Sequence, residues 1–145
     1  MIKETLQKSR RLSRLLRQEP LIDLAYLFGS HSKHPTRNPR DIDIALMLKA
    51  PLRGMHKIRF MTRIGTAIEH VIVHELGKHQ PVDVVLLNEA DPLLAHQVLK
   101  YGTLLFARRK KMARDFTVQT MTRYFDAKPL HDFFFQRAKE AFHGR

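Results

Sequence analysis

Cysteine is absent from the 145 residues. Disulfides and thiolate-bound zinc are therefore excluded, and a reducing, cytoplasmic setting is the expectation. Nothing in the chain approaches the roughly 18 consecutive apolar residues of a membrane span. The opening stretch, MIKETLQKSRRLSRLLRQEP, lacks the apolar core of a secretory signal. There is no internal repeat, no low-complexity segment and no composition shift that would mark a domain boundary, so one domain over residues 1–145 is expected. Acidic residues are also scarce, 14 against 26 Lys and Arg, and the formal charge is +12. A field of that sign draws polyanions such as nucleotides, RNA or an acidic protein. For any single Lys or Arg, a solvated surface charge explains as much.

The few carboxylates that sit among apolar residues are therefore conspicuous. Residues 24–47 read LAYLFGSHSKHPTRNPRDIDIALM. An apolar run ends at Gly29-Ser30, and Asp41-Ile42-Asp43 opens a second one. Residues i and i+2 of a strand share a face, which puts both carboxylates on one side about 7 Å apart. Two ionised acids so close repel unless a cation lies between them. Hard oxygen ligands suit Mg²⁺, which takes one or two carboxylates and completes its shell with water and phosphates. A Gly-Ser turn presents backbone N–H groups and a hydroxyl to a phosphate, although Ser30 serves equally as an ordinary N-cap. A third acid, Asp83, lies in the later strand-like run PVDVVLL.

Gly29-Ser30, the spacer, Asp41-x-Asp43 and Asp83 together resemble the signature of the polymerase-β-like nucleotidyltransferases, and most closely their minimal (MNT) branch. The resemblance covers roughly residues 20–125. It departs after the Gly-Ser, where the family usually has a small residue, Arg and Gly and this chain has Ser32, Lys33 and His34. Lysine keeps the charge of arginine but not its bidentate fork. The resemblance implies an α/β (α+β) nucleotidyltransferase fold: a mixed sheet of about four strands, flanking helices on one face and the active site at the other. It implies that Asp41, Asp43 and Asp83 are the catalytic, metal-binding acids, holding two Mg²⁺ ions. Gly29, Ser30, Lys33 and Arg40 are expected to bind the triphosphate of ATP, with Arg37 close by.

Residues 3–18 read as one basic amphipathic helix ended by Pro20. Strands follow at residues 21–28 and 41–48. An amphipathic helix is expected over residues 55–76, with Gly77 after it. A strand at 82–87, a helix opened by Asp91-Pro92 and a short strand at 103–106 come next. A basic helix over residues 108–125 is expected to break at Pro129. The tail to residue 145 carries Phe133, Phe134, Phe135 and Phe142. It either packs back on the sheet or covers a partner. His70 and His74 lie off the apolar stripe and read as exposed. His74-Glu75 fails the HExxH pattern because Lys78 stands where the second His is needed. Arg137 and His143 mimic an Arg-x5-His ribonuclease spacing, but the fold signals are wrong for it.

MNT proteins are often paired with HEPN-domain ribonuclease toxins. The resemblance thus implies an antitoxin that transfers AMP from ATP to a tyrosine of its cognate HEPN toxin. The alternatives are a small-molecule or RNA-end nucleotidyltransferase, or a non-catalytic module that binds toxin or RNA. Small-molecule relatives usually carry a further C-terminal domain that holds the acceptor, and no such domain is legible in these residues. The basic helices are the candidates for RNA contact.

Overall fold

The computed structural model describes residues 2–29 and 41–143. Its elements run α1 (Ile2–Lys8), α2 (Arg10–Gln18), β1 (Ile22–Phe28), β2 (Ile42–Leu48), α3 (Gly54–Leu76), β3 (Val82–Leu86), a 3-10 turn (Leu87–Glu89), α4 (Pro92–Tyr101), β4 (Thr103–Ala107) and α5 (Lys110–His143). The four strands form one sheet in the order β3-β2-β1-β4. β1 is antiparallel to β2 and β4, whereas β2 and β3 run parallel. No helix among the described residues is long and apolar enough to cross a membrane.

Alternation along β2 explains the layering. Ile42, Ile44, Leu46 and Leu48 point into a core formed with Leu6, Leu12 and Leu16 of α1 and α2 and with Phe60, Ile64, Ile68 and Ile72 of α3. Ala45 and Met47 point the other way, into a second cluster with Leu24, Tyr26, Ala95, Val98 and Phe116. Helices thus cover both faces, not one as expected, because β1 and β2 are apolar on both sides. α4 and α5 leave the N-terminal ends of β2 and β3 uncovered, and Asp41 and Asp83 are exposed there.

The expected helix over residues 3–18 is two helices. Ser9 takes an extended conformation (φ −68°, ψ 114°) and caps α2, its hydroxyl oxygen accepting from the Leu12 N–H at 3.1 Å. The same hydroxyl donates to Glu75 at 2.8 Å, tying the break to α3. Ser9→Ala removes both bonds. It is expected to lower stability by about 1–2 kcal/mol, read as a lower urea midpoint at unchanged slope.

Arg108, the first residue of a basic run, is structural. Its guanidinium donates to the carbonyls of Ile22 (3.0 Å), Glu19 (2.8 Å) and Arg17 (3.2 Å), satisfying the open end of α2. Asp91 and Pro92 start α4 as expected, with the Asp91 carboxylate accepting from Leu94 N–H. Pro129 does not break α5. The carbonyl that its missing N–H frees, on Phe125, lies on an exposed stretch where water can satisfy it. Nor does the aromatic tail fold back on the sheet, since every residue from 128 to 143 is exposed.

Candidate active site

Strand register builds the site. Phe28 pairs with Asp43 across β1 and β2, so Gly29 leaves β1 beside that carboxylate. Asp43 in turn pairs with Asp83 across the parallel β2–β3 ladder, which puts the two side chains on the same face. Strands in a sheet lie about 4.8 Å apart, so these acids are nearest neighbours. Asp41 precedes β2 on the same parity. The start of β2 is held to the start of β3 by Ile42 N–H donating to Pro81 O at 2.9 Å. At the far end, Asn88 clasps β2 by donating to and accepting from the Leu48 backbone, 2.8 Å each way.

The electrostatics follow from that placement. Burial pushes the Asp43 carboxyl above its ordinary value, and the charges of Asp83 and Asp41 push it further the same way. Among the described residues no Lys or Arg forms an ion pair with any of the three. Among the described residues the cluster is thus a negative spot without a paired cation, on a chain of charge +12. Among the described residues no group of three or more His, Asp or Glu is already gathered tightly enough to hold an ion. Mg²⁺ does not require such a cage, because one or two carboxylates with substrate phosphates and water suffice. The donor set of Asp43 and Asp83, hard oxygens held side by side without a cation, fits that ion.

Gly29 has a role that its place in a Gly-Ser turn did not reveal. It adopts a left-handed backbone (φ +76°). A Cβ there would overlap the Asp43 carboxylate oxygen and stand 3.0 Å from its Cγ. Only glycine lets the chain turn away while Asp43 keeps its position. That closeness depends on cross-strand register, and no local pattern encodes it. Ser30, Lys33, His34, Arg37 and Arg40 lie outside the described residues.

The two histidine patterns stay apart from this site. His70 and His74 are exposed on α3 and line a groove with Arg11, Arg14 and Gln18 of α2. α2 and α3 pack on the sheet face opposite Asp43. His79 lies 3.6 Å from Glu69.

A parallel and antiparallel sheet of four strands, with acids side by side at the ends of β2 and β3 beside a left-handed glycine, is the architecture of a nucleotidyl-transferring domain. The family model described as Polymerase beta, Nucleotidyltransferase matches residues 10–111. The chain belongs to that family. Among curated proteins, the protein adenylyltransferase MntA of Shewanella oneidensis is 28% identical over 115 residues, spanning 79% of this chain and 75% of that protein. A crystal structure described as a toxin-antitoxin with AMP-PNP contains a chain that superposes with a TM-score of 0.69 at 25% identity, over 89% of this chain and 96% of that one. A structure of tri-AMPylated Shewanella oneidensis HEPN toxin in complex with MNT antitoxin contains a chain that matches at TM-score 0.67 and 24% identity, over 96% and 99%. At that identity the likeness is one of fold.

Proposed function

We propose that this chain is an antitoxin-type protein adenylyltransferase. It transfers AMP from ATP to a tyrosine hydroxyl of a cognate HEPN ribonuclease toxin and depends on Mg²⁺. The observation that carries the reading is the grouping of Asp43 with Asp83 and Asp41 beside Gly29, with no ion-pair partner for them among the described residues. The names of the relatives supply the chemistry: a protein adenylyltransferase, and complexes with an ATP analogue or an AMPylated HEPN toxin.

In this reading Asp41, Asp43 and Asp83 hold Mg²⁺, which when bound neutralises triphosphate charge and acidifies the attacking hydroxyl. Gly29 and Ser30 hold the β- and γ-phosphates in this reading, through the backbone N–H groups and hydroxyl that a Gly-Ser pair offers. Lys33 and Arg40 contribute positive charge against the same phosphates. The tyrosine oxygen attacks the α-phosphorus in line, its proton passes to solvent, and pyrophosphate leaves. Positioning and charge supply most of the acceleration in such transfers. β3 is an edge strand and Asp83 is exposed. Among the described residues nothing covers the Asp83 side of the site, where an incoming macromolecule would present its hydroxyl. The groove lined by Arg11, Arg14, His70 and His74 is where the basic helices would meet RNA. It lies on the face away from the acids.

The test is direct. The protein is incubated with Mg²⁺, labelled ATP and the product of the neighbouring gene, and the products are mapped by mass spectrometry. Label on a tyrosine of that product is the expected result. Label on RNA or on a small molecule instead, with none on protein, would overturn the assignment of the acceptor.

A further inference from the structure

The outer part of α5 stands clear of the domain. Residues 128–143 are all exposed, a projection of about 24 Å at ~1.5 Å per residue. Leu130 and Phe134 are each 61% exposed, and Phe142 is 86% exposed. This segment continues the packed inner part of α5, and its four phenylalanines and a proline are poor helix formers. Its exposed apolar side chains are what a packing partner would cover.

The composition narrows the choice. Residues 126–143 hold Lys128, Arg137 and Lys139 against Asp126, Asp132 and Glu140, and so are neutral within a chain of charge +12. The arm has no net charge to attract an anionic lipid surface or nucleic acid. Two copies of this basic protein can therefore meet along it without the repulsion that their net charge imposes elsewhere, as between the basic stretches at residues 3–17 and 108–111.

The spacing narrows it further. Ala127, Leu130, Phe134, Ala138 and Ala141 follow steps of three, four, four and three. At ~100° per residue they lie within about 40° of a single line. The pattern is symmetric about Phe134: Leu130 and Ala138 are four residues to either side, Ala127 and Ala141 seven. An antiparallel pair with its two-fold axis at Phe134 sets Leu130 against the partner copy's small Ala138. It also sets Ala127 against Ala141 and Phe134 against itself. Large faces small on both sides of the axis, which is what an isologous interface needs. Phe133, stacked by Arg137 at 5.1 Å, and Phe135, beside His131, flank the seam.

We propose that the outer half of α5 is a self-association arm through which two copies of the chain pair antiparallel about Phe134. The apolar surface available on two arms is roughly 1,000 Å², the low end for specific interfaces, so the dimer is expected to be micromolar. This rests on the arm alone and is independent of the catalytic reading.

Sedimentation of the full chain over a hundredfold concentration range, up to about 100 µM, should take the mass from 17.0 kDa towards twice that value. Phe134→Glu should hold it at the monomer mass, whereas Gln136→Glu, on the far side of the helix, should not. The chain has no cysteine, so single-cysteine variants report geometry. Phe134→Cys should form an intermolecular disulfide under mild oxidation and Gln136→Cys should not. A monomer at every concentration overturns the proposal. So does equal cross-linking of the two cysteine variants, or cross-linking of Phe134→Cys to an added protein partner but never to itself.

Discussion

Asp43→Asn is expected to abolish transfer and stabilise the protein at the same time. The asparagine is nearly isosteric, so the strand pairing of β2 with β1 and β3 should survive. The charge that draws the cation is lost, and activity should fall by about 10³-fold or more. The stability effect has the opposite sign. In the folded protein the Asp43 carboxyl is held above 3.8 by burial and by Asp83 and Asp41. The folded state thus binds this proton more tightly than the unfolded chain, and stability is lost as pH rises through that window. At neutral pH the full penalty is present, and asparagine does not incur it. Solvent at the half-buried site screens the gain, so the rise in Tm should be small but positive. The difference should vanish below pH 3.8. Mg²⁺ should raise the Tm of the wild type and leave that of the variant unchanged. A variant melting below the wild type at pH 7 would show that the three acids do not repel as their placement implies.

Gly29→Ala should be the most damaging single-methyl change in the site. The left-handed backbone costs a non-glycine residue about 1–2 kcal/mol. The new Cβ also collides with Asp43, so either the β1 turn or the carboxylate must move. The total is expected to reach ~2–3 kcal/mol, with transfer activity reduced more than stability explains. Gly77→Ala is the matched control. Gly77 has nearly the same backbone (φ +72°) and nothing within 4 Å of its would-be Cβ. Its substitution should cost only that backbone term of about 1–2 kcal/mol and leave activity intact. Equal activity in the two variants would mean that Asp43 does not depend on the space Gly29 leaves.

The strands, α3 and the start of α4 were legible because their signals are local. Period-two and period-three-to-four apolar patterns, an Asp-Pro start and a glycine stop each act within a few residues. The Asp-x-Asp pair could likewise be placed on one face from strand geometry alone. Besides the helices lying on both faces of the sheet, three features departed from what their local pattern suggested. Ser9 interrupts the first helix because its hydroxyl donates to Glu75 of α3 and accepts from the Leu12 N–H. Arg108 reads as one more surface cation, yet it closes the end of α2 with its guanidinium. Pro129 was expected to end a helix that runs on through it, since the bond it removes lies on a solvated stretch.

Sequence alone determined which residues could do chemistry here: the acids, the Gly-Ser turn and the cationic excess, all readable because residue type and short spacing carry that information. Tertiary structure decided which of them stand together. The parallel pairing of β2 with β3 puts Asp83 beside Asp43 across a gap of forty residues, and the antiparallel pairing of β1 with β2 sets Gly29 against the same carboxylate. Register between strands is chosen by the summed burial of whole faces, not by any one residue, and so it appears only once the sheet has formed.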